Sequence, residues 1–170
     1  MSPELYDELK AMVGEEGERI TAADDVCEAM IRHWCEAMQD GNPLYTDKEY
    51  SKKSRYRSII APPQMLLTWT MPPLWPAGVR PQHPFEKFLE KLDKAGFYGI
   101  LITNVSQKYL QPVYPGDHIT FTYKVTDVSP AKKTGLGTGH FVTTTFIFNN
   151  QKGETVGIQN LTVLKYRIGS

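Results

Sequence analysis

The chain has 170 residues, of which 41% are hydrophobic and 22% are charged, a composition typical of one soluble globular domain and not of a disordered chain. Lysine plus arginine equals aspartate plus glutamate at 19 each, so no basic excess indicates nucleic-acid binding, and the net charge of zero favours an assembled state. The N-terminus lacks an apolar signal core, and no run approaches the ~20 apolar residues that span a bilayer. We therefore expect a cytoplasmic protein without membrane association.

The first third of the chain is predicted to be helical. Ser2-Pro3-Glu4 opens an N-terminal helix within a lead-in of residues 1–20, with serine as the cap and proline at the first helical position. Thr21-Ala22-Ala23-Asp24 is a capping box that predicts the start of a second helix. The buried stripe predicted for this helix repeats every four residues and consists of Val26, Met30, Trp34 and Met38.

Two cysteines, Cys27 and Cys35, fall within the second predicted helix. Eight helical residues would separate them by about 12 Å, which is too far for a disulfide. No CxxC or Cys/His pair has the spacing of metal ligands. The sequence therefore predicts two buried thiols and no metal site.

Three further helices and one long loop are predicted next. A short polar helix runs from Asp47 to Lys53, and Pro84 precedes an amphipathic helix that Gly96 ends. Residues 72–84 contain five prolines and can form neither a helix nor a central strand. This Pro-rich loop either contacts a bulky substrate or a partner, or covers its own core. A helix beginning at Ala61-Pro62-Pro63 is predicted to be the central helix inside a sheet, through its apolar residues Met65, Leu66, Leu67, Trp69 and Met71.

The pattern changes to strands after the helices, and the whole chain, residues 1–170, is predicted to form a single domain. The expected fold class is α+β, with an antiparallel sheet packed against helices. Turn residues such as Pro115-Gly116-Asp117 separate the runs. The predicted strands are Phe97–Leu110, Ile119–Val128, Gly139–Phe148 and Thr155–Tyr166.

Three segments of the chain resemble a known family. They read "HWCEAMQDGNPLYTDKEYSKKSRYRSIIAPPQMLLTW", "YLQPVYPGDHITF" and "GHFVTTTFIFNNQKGETVGIQNLTVLKY". From about Thr21 to Tyr166 the chain resembles the MaoC-like dehydratase/hydratase family, and the D-x-N-P loop followed by IAPP is the most specific pair of motifs. The resemblance implies a single hot-dog fold, in which the antiparallel sheet wraps around a central helix.

The resemblance also implies a reaction. Active members of the family add water to trans-2-enoyl thioesters of coenzyme A or acyl carrier protein, using a loop that reads D-x-N-P-x-H. The Asp and His activate the water, and a backbone amide at the start of the central helix holds the thioester oxygen. The coenzyme A thioester is the substrate, and no other cofactor or metal is implied.

This chain departs from the family pattern in two places. Asp40, Asn42 and Pro43 match the loop, but Tyr45 stands where the family has histidine, and a phenol with an ordinary pKa of about 10 is a poor base at neutral pH. The helix start reads Pro62-Pro63 where active members have His-Gly, and proline has no N–H to donate. The resemblance thus implies a degenerate member with no complete catalytic set, in which Asp40 is vestigial.

Degenerate members of the family pair with a catalytic hot dog. The fragments "TWTMPPLW" and "ITNVSQKYLQPVYPGD" are similar to the MaoC-like domain of the larger subunit of a heteromeric hydratase that acts on steroid side-chain enoyl-CoA. This narrower match implies a smaller MaoC-like partner with an intact Asp/His loop, an acyl-CoA substrate and a heterotetramer. That relative continues into a DUF35-type domain where this chain ends at Ser170, which implies a shortened chain or a split gene. Through the missing domain, a thiolase- or aldolase-like protein is a further expected partner.

The candidate site is named from the same resemblance. Tyr45 could still donate a proton, although it cannot easily accept one. Lys52, Lys53, Arg55 and Arg57 form the one local basic cluster in the sequence, and they either bind the phosphates of coenzyme A or are simply solvated. The residues expected to bind the substrate are Asn42, Tyr45, Pro62, Pro63, Gln64, Trp69 and Trp75.

None of the four histidines has a partner that is visible in the sequence. His33 lies seven residues before Asp40, on the same helical face, and a partly buried structural role is expected rather than that of a replacement base. His83, His118 and His140 fall on the Pro-rich loop, at a strand start and in a strand. Each is expected to be a surface or core residue.

The sequence thus predicts a non-catalytic, pocket-forming subunit of a heteromeric enoyl-CoA hydratase, which is inactive alone. A self-sufficient homodimeric hydratase or dehydratase using Asp40 remains an alternative, as does an acyl-thioester-binding or scaffold module without turnover. The steroid acyl group is implied by resemblance alone.

Overall fold

A computed structural model of the chain describes residues 3–71 and 84–168. The predicted α+β plan is confirmed, because helices precede a set of long antiparallel strands. Within the described ranges, no helix is long and apolar enough to cross a membrane. In chain order the elements are α1 (Pro3–Ala11), β1 (Ile20–Thr21), α2 (Glu28–Met38), α3 (Pro43–Thr46), α4 (Lys48–Lys53), a 3₁₀ helix (Pro63–Thr70), α5 (Pro84–Lys94), β2 (Gly99–Tyr109), β3 (Thr120–Val128), β4 (Lys132–Thr134), β5 (Gly137–Asn149) and β6 (Thr155–Tyr166).

The strands form one antiparallel sheet in the order β1-β3-β5-β6-β2, and β4 pairs with β5 as a hairpin. The pairing of β5 with β6 is the longest and extends from Gly139 opposite Tyr166 to Asn149 opposite Thr155. Strand β2 pairs with β6 on one side only. Its other edge has no neighbouring strand in the part of the chain that the structure describes.

Alternating apolar residues decide which face of the sheet is buried. In β3 the side chains of Phe121, Tyr123 and Val125 share one face and are buried, as the two-residue period of a strand requires. A register shift between Val125 and Asp127 adds one residue to β3, and Val128 therefore returns to the buried face. The helices pack against this face, which we call the inner face.

Two clusters of buried side chains fill the space between the inner face and the helices. The first lies against α2 and the 3₁₀ helix and includes Ile31, Met65 and Trp69. The second lies against α1 and α5 and includes Leu9, Phe88 and Leu92. The apolar run after Pro62 thus enters the core as predicted, but as a 3₁₀ helix.

Predictions around α2 are partly wrong. The helix expected from the capping box begins instead at Glu28, because Thr21 belongs to β1 and pairs with β3. Cys27 is consequently the N-cap of α2 and only partly buried, whereas Cys35 is buried as predicted. Met38, assigned to the buried stripe, is 62% exposed because it is the last residue of α2.

The strand predictions are correct to within a few residues. The strand expected from Phe97 begins at Gly99, because the amide of Phe97 donates to the carbonyl of Leu92 at 3.0 Å and so closes α5. The side chain of Phe97 is fully buried. Strands β1 and β4 were not predicted, since segments of two or three residues carry no alternating pattern.

Candidate functional site

The polar loop after α2 is stabilised by its own hydrogen bonds. Gln39 ends the helix in the left-handed region with φ of 54°, and the amide of Asp40 donates to the carbonyl of Cys35 at 2.9 Å. The carboxylate of Asp40 turns back and accepts from the amide of Asn42 at 3.0 Å. One carboxylate oxygen of Asp40 is therefore committed to reversing the chain.

The next residues of the loop begin α3 and α4. Asn42 is the N-cap of α3, and its side-chain oxygen accepts from the amide of Leu44 at 3.1 Å. Pro43 fills the first helical position, where no N–H is needed. Asp47 caps α4 by accepting from two amides of its first turn, each at 2.9 Å. The polar groups of this loop thus stabilise turns and helix ends.

Tyr45, predicted to stand where the family has histidine, is partly buried against the first core cluster. Burial, followed by the negative charge of Asp40, raises the pKa of the Tyr45 phenol above its ordinary value, and a side-chain hydrogen bond with Asn42 only partly offsets this. The phenol is therefore protonated at neutral pH. It can donate a proton but is a poor base.

The start of the 3₁₀ helix has few backbone amides available for a ligand. The amide of Ala61 donates to the carbonyl of Val113 at 2.8 Å, and that of Met65 donates to the carbonyl of Pro62 at 2.9 Å. Pro62 and Pro63 have no N–H. Only Gln64 at this helix start keeps an amide without an acceptor among the described residues. An oxyanion-binding pair of amides is thus absent from the described part of this segment.

A cavity of about 320 Å³ opens beside this helix start. Its wall combines the end of β2 and the following segment with the 3₁₀ helix and the loop after α4. The wall is largely apolar. The lining residues are Arg55, Tyr56, Ile60, Ala61, Pro62, Pro63, Leu66, Trp69, Tyr109, Leu110, Gln111, Pro112, Val113 and Val156.

The cavity contains only part of the predicted site. Pro62, Pro63 and Trp69 line it, whereas Gln64 is exposed and does not. Tyr45 lines a different hollow of about 310 Å³ against α2, and Asn42 lines neither. Trp75 and residues 72–83 of the Pro-rich loop lie outside the described residues. The role of these side chains in binding a substrate stays a prediction.

Sequence reasoning did not name Tyr56 or the wall from Tyr109 to Val113 as site residues. Burial raises the pKa of Tyr114, with a smaller contribution from Tyr56, and Tyr56 also makes the smallest contribution to raising the pKa of Tyr45. Tyr56 lines the cavity beside Arg55, whose guanidinium lies over its ring. The fragment "YLQPVYPGD" carries part of the family resemblance, but the pairing of β2 with β6 is what brings it beside the 3₁₀ helix.

The described histidines do not line the cavity. His33 is exposed and contacts a glutamate of its own helix, so its predicted partial burial is wrong. His118 lies 2.6 Å from the carboxylate of Asp25, a partner that the sequence did not reveal. His140 is a core residue with Nδ1 2.9 Å from a backbone carbonyl, and His83 lies outside the described residues. No three His, Cys, Asp or Glu side chains in the described ranges come together as a metal site.

Strand β2 presents an apolar edge next to the cavity. Its last residue, Tyr109, lines the cavity, and every residue of the strand after Gly99 is exposed. Four large apolar side chains are between 47% and 59% exposed, namely Ile100, Leu101, Ile102 and Val105. A long edge strand with this composition, whose second edge has no neighbouring strand among the described residues, is a place where another strand can add.

The chain is similar in sequence to proteins of one known family. Residues 11–159 match the model of the "FAS1-like, dehydratase domain region" family. A probable enoyl-CoA hydratase alpha subunit of Thermomonospora curvata is 37% identical over 98% of this chain and 54% of its own length. The 3-oxo-4,17-pregnadiene-20-carboxyl-CoA hydratase alpha subunit of Mycobacterium tuberculosis is 35% identical over 86% of this chain and 46% of its own length. The chain thus spans about half the length of these curated relatives.

Solved structures show the same fold. A chain in the crystal structure of the ChsH1-ChsH2 complex from Mycobacterium tuberculosis is 32% identical, with a TM-score of 0.87 over 98% of this chain and 92% of that one. An (R)-hydratase from A. caviae is 19% identical, with a TM-score of 0.58 over 88% of this chain and 95% of that one, and supports the fold alone. The predicted hot-dog fold is therefore confirmed.

Proposed function

We propose a function from the premise that this chain belongs to the family of FAS1-like dehydratase regions, which have the MaoC-like hot-dog fold. The chain is the non-catalytic, pocket-forming subunit of a heteromeric enoyl-CoA hydratase. One observation carries the proposal. The Asp40 carboxylate that would activate water accepts the amide of Asn42 instead, and its partner position holds the protonated phenol of Tyr45. This loop therefore has no basic side chain next to the Asp40 carboxylate.

The chemistry would belong to the partner, a smaller hot-dog subunit with an intact Asp/His loop. Its Asp and His would take a proton from water while the water oxygen bonds to C3 of a 2-enoyl-CoA. The electron pair of the double bond would move toward the thioester oxygen, and a proton would return to C2 on the same face. This syn-hydration needs no metal or redox cofactor.

The edge of β2 is the proposed docking surface for that partner. An added strand would satisfy the free backbone groups of β2, and the partner would cover Ile102 and Val105. Because Tyr109 and Leu110 at the end of β2 also line the cavity, a partner at this edge would close one side of it. The printed names of relatives as alpha subunits, and of one structure as a complex, support a two-subunit assembly.

The acyl group is proposed from the relatives. The Mycobacterium tuberculosis relative is named for a steroid-derived carboxyl-CoA, and the cavity wall formed by Leu66, Trp69 and Val113 is apolar. A bulky apolar acyl group therefore suits this cavity. A thiolase- or aldolase-like protein, expected to bind the part of the relatives that lies outside the matched region, belongs to the same proposal.

A self-sufficient homodimeric hydratase is the second candidate. It is favoured by one observation, namely that only one carboxylate oxygen of Asp40 has a partner among the described residues. A module that binds acyl thioesters without turnover is the third.

Hydration assays separate these functions. The chain would be assayed alone and with the smaller hot-dog subunit, on 2-octenoyl-CoA and on a steroid enoyl-CoA. We expect turnover only in the mixture, lost when the partner's Asp or His is replaced and kept in Asp40→Asn. Turnover by the chain alone that Asp40→Asn abolishes would establish the homodimeric enzyme instead. If the thioester binds but neither preparation shows turnover, the chain is a module that binds acyl thioesters without turnover.

A further inference from the structure

The turn from Ser54 to Arg57 forms a fixed element at the rim of the cavity. The amide of Arg57 donates to the carbonyl of Ser54 at 3.2 Å, and the amide of Tyr56 donates to the hydroxyl of Ser54 at 3.1 Å. That hydroxyl itself donates to the carbonyl of Ser51 at 2.7 Å, at the end of α4. The turn is therefore held in place before any ligand binds.

Arg55 is presented to solvent by this turn. Its guanidinium lies over the ring of Tyr56, 4.7 Å from the ring centroid, and one N–H donates to the Tyr56 hydroxyl. Both side chains line the cavity, and Arg55 is exposed. A guanidinium has five N–H donors in a planar fork that matches a phosphate. The other N–H donors of Arg55 thus have no hydrogen-bond acceptor among the described residues.

The positive charges of this turn are not compensated by acids. Lys48 and Lys52 on α4 pair with glutamates at 2.8 and 2.7 Å. Lys53, Arg55 and Arg57 take part in none of the ion pairs between described residues. Their charges therefore remain available to an anion from outside the chain. Arg55 lines the cavity, whereas Arg57 lines a separate hollow together with Glu28 and Lys48.

Arg57 also has a strained backbone. Its φ of 58° lies in the left-handed region, which non-glycine residues adopt only at an energetic cost. A glycine at this position would avoid the strain but would lose the charge. Arg57→Gly therefore removes the charge without adding backbone strain at this position.

We propose that the turn 54–57 binds the phosphate-bearing end of a coenzyme A thioester whose acyl end occupies the cavity. The inference rests on the proposed function. A cavity of about 320 Å³ is near the lower end of ligand pockets, so the nucleotide end of the thioester lies outside it, where Arg55 is exposed. The subunit without catalytic groups thus recognises the anionic end of the substrate.

Binding of three octanoyl thioesters tests the proposal by calorimetry, with the chain alone and with the smaller subunit. The probes are octanoyl-CoA, octanoyl-dephospho-CoA and octanoyl-pantetheine, and the variants are Arg55→Gln and Arg57→Gly. We expect Arg55→Gln to weaken octanoyl-CoA binding by about tenfold, as for the loss of a hydrogen bond between charged groups. Arg57→Gly is expected to weaken it less, because Arg57 lines a separate hollow. Binding of octanoyl-pantetheine is expected to stay unchanged. Lys133→Gln, in the exposed strand β4, is the matched control and is expected to bind all probes normally.

The probes also distinguish which phosphate is bound. Weakened binding of octanoyl-dephospho-CoA by Arg55→Gln would assign the diphosphate, and normal binding of that probe would assign the 3′-phosphate; both support an anion-binding turn. The proposal would be overturned if Arg55→Gln weakened the binding of all three probes equally, or the binding of none of them. The proposed function fails separately, if neither octanoyl-CoA nor octanoyl-pantetheine binds to the wild-type chain in either preparation.

Discussion

Gly157 on β6 lies in direct contact with Leu66 of the 3₁₀ helix. A Cβ added to Gly157 would be 2.5 Å from Cδ2 of Leu66 and 3.2 Å from the carbonyl oxygen of Lys108. The 3₁₀ helix that lines the cavity therefore packs directly against the backbone of β6 at Gly157. The absence of a side chain at Gly157 sets the depth at which this helix sits.

Gly157→Ala is expected to destabilise the protein by about 1–3 kcal/mol, because Leu66 or the strand must move to admit the methyl group. Urea unfolding measures this change. Gly135→Ala is the control, since a Cβ there meets nothing within 4 Å, and we expect it to unfold like the wild type. Equal stability of the two variants would show that the helix is not seated on Gly157.

Asp40→Asn is expected to keep both stability and the activity of the two-subunit enzyme. The side-chain oxygen of Asn can still accept the amide of residue 42, so the turn that Asp40 forms at 3.0 Å persists. Asp40→Ala removes this acceptor and should cost about 1 kcal/mol in urea unfolding. A large loss of turnover in Asp40→Asn with normal stability would instead assign a catalytic role to this carboxylate.

Asp93→Asn is expected to destabilise the protein more than Lys165→Met. The ammonium of Lys165 is buried and lies 2.5 Å from the carboxylate of Asp93, which is itself partly exposed. Removing the acid leaves a buried charge without its partner, at a cost of about 1–3 kcal/mol, whereas methionine leaves only an exposed acid. Urea unfolding of both variants measures the difference. The opposite order would mean that the loss of the Lys165 side chain, rather than an uncompensated buried charge, decides the cost.

Stability is expected to fall at alkaline pH partly through Tyr45. Burial and the charge of Asp40 raise its pKa above the ordinary 10.0, so the folded state holds the phenol proton longer than the unfolded state does. The stabilisation is full below pH 10 and is lost as the pH rises through the folded pKa. Tyr45→Phe should therefore lose less stability than the wild type between pH 9.5 and 11.5, as followed by urea unfolding. Tyr50→Phe, at an exposed residue, should behave as the wild type.

Ile102→Lys is expected to prevent assembly with the smaller subunit, since a lysine on β2 would carry its charge into the proposed interface. Ile102 is 59% exposed in the isolated chain, so folding itself should be unaffected. Leu136→Lys places the same charge on another exposed apolar residue, at the β4–β5 hairpin, and should still assemble. Light scattering after size-exclusion chromatography distinguishes the two. Normal assembly of the Ile102→Lys variant would show that β2 is not the docking surface.

The order of helices and strands could be predicted because it follows from local patterns. The alternation in β3 and β6, the Pro-Pro pair before the 3₁₀ helix and the substitution of Tyr45 for histidine are all visible in the sequence. The chemical consequences of the last two do not depend on the fold, since a proline has no N–H and a phenol is a weak base. The absence of a histidine beside Asp40 in the D-x-N-P loop could thus be predicted from the sequence.

The cavity could be found only in the tertiary structure. It joins the turn at Arg55, the helix at Trp69, the strand end at Tyr109 and the side chain of Val156, which are far apart in sequence. The same is true of the contact between His118 and Asp25 and of the free edge of β2. Local patterns decide which residues form strands and helices, but the pairing order of the strands decides which distant side chains come together.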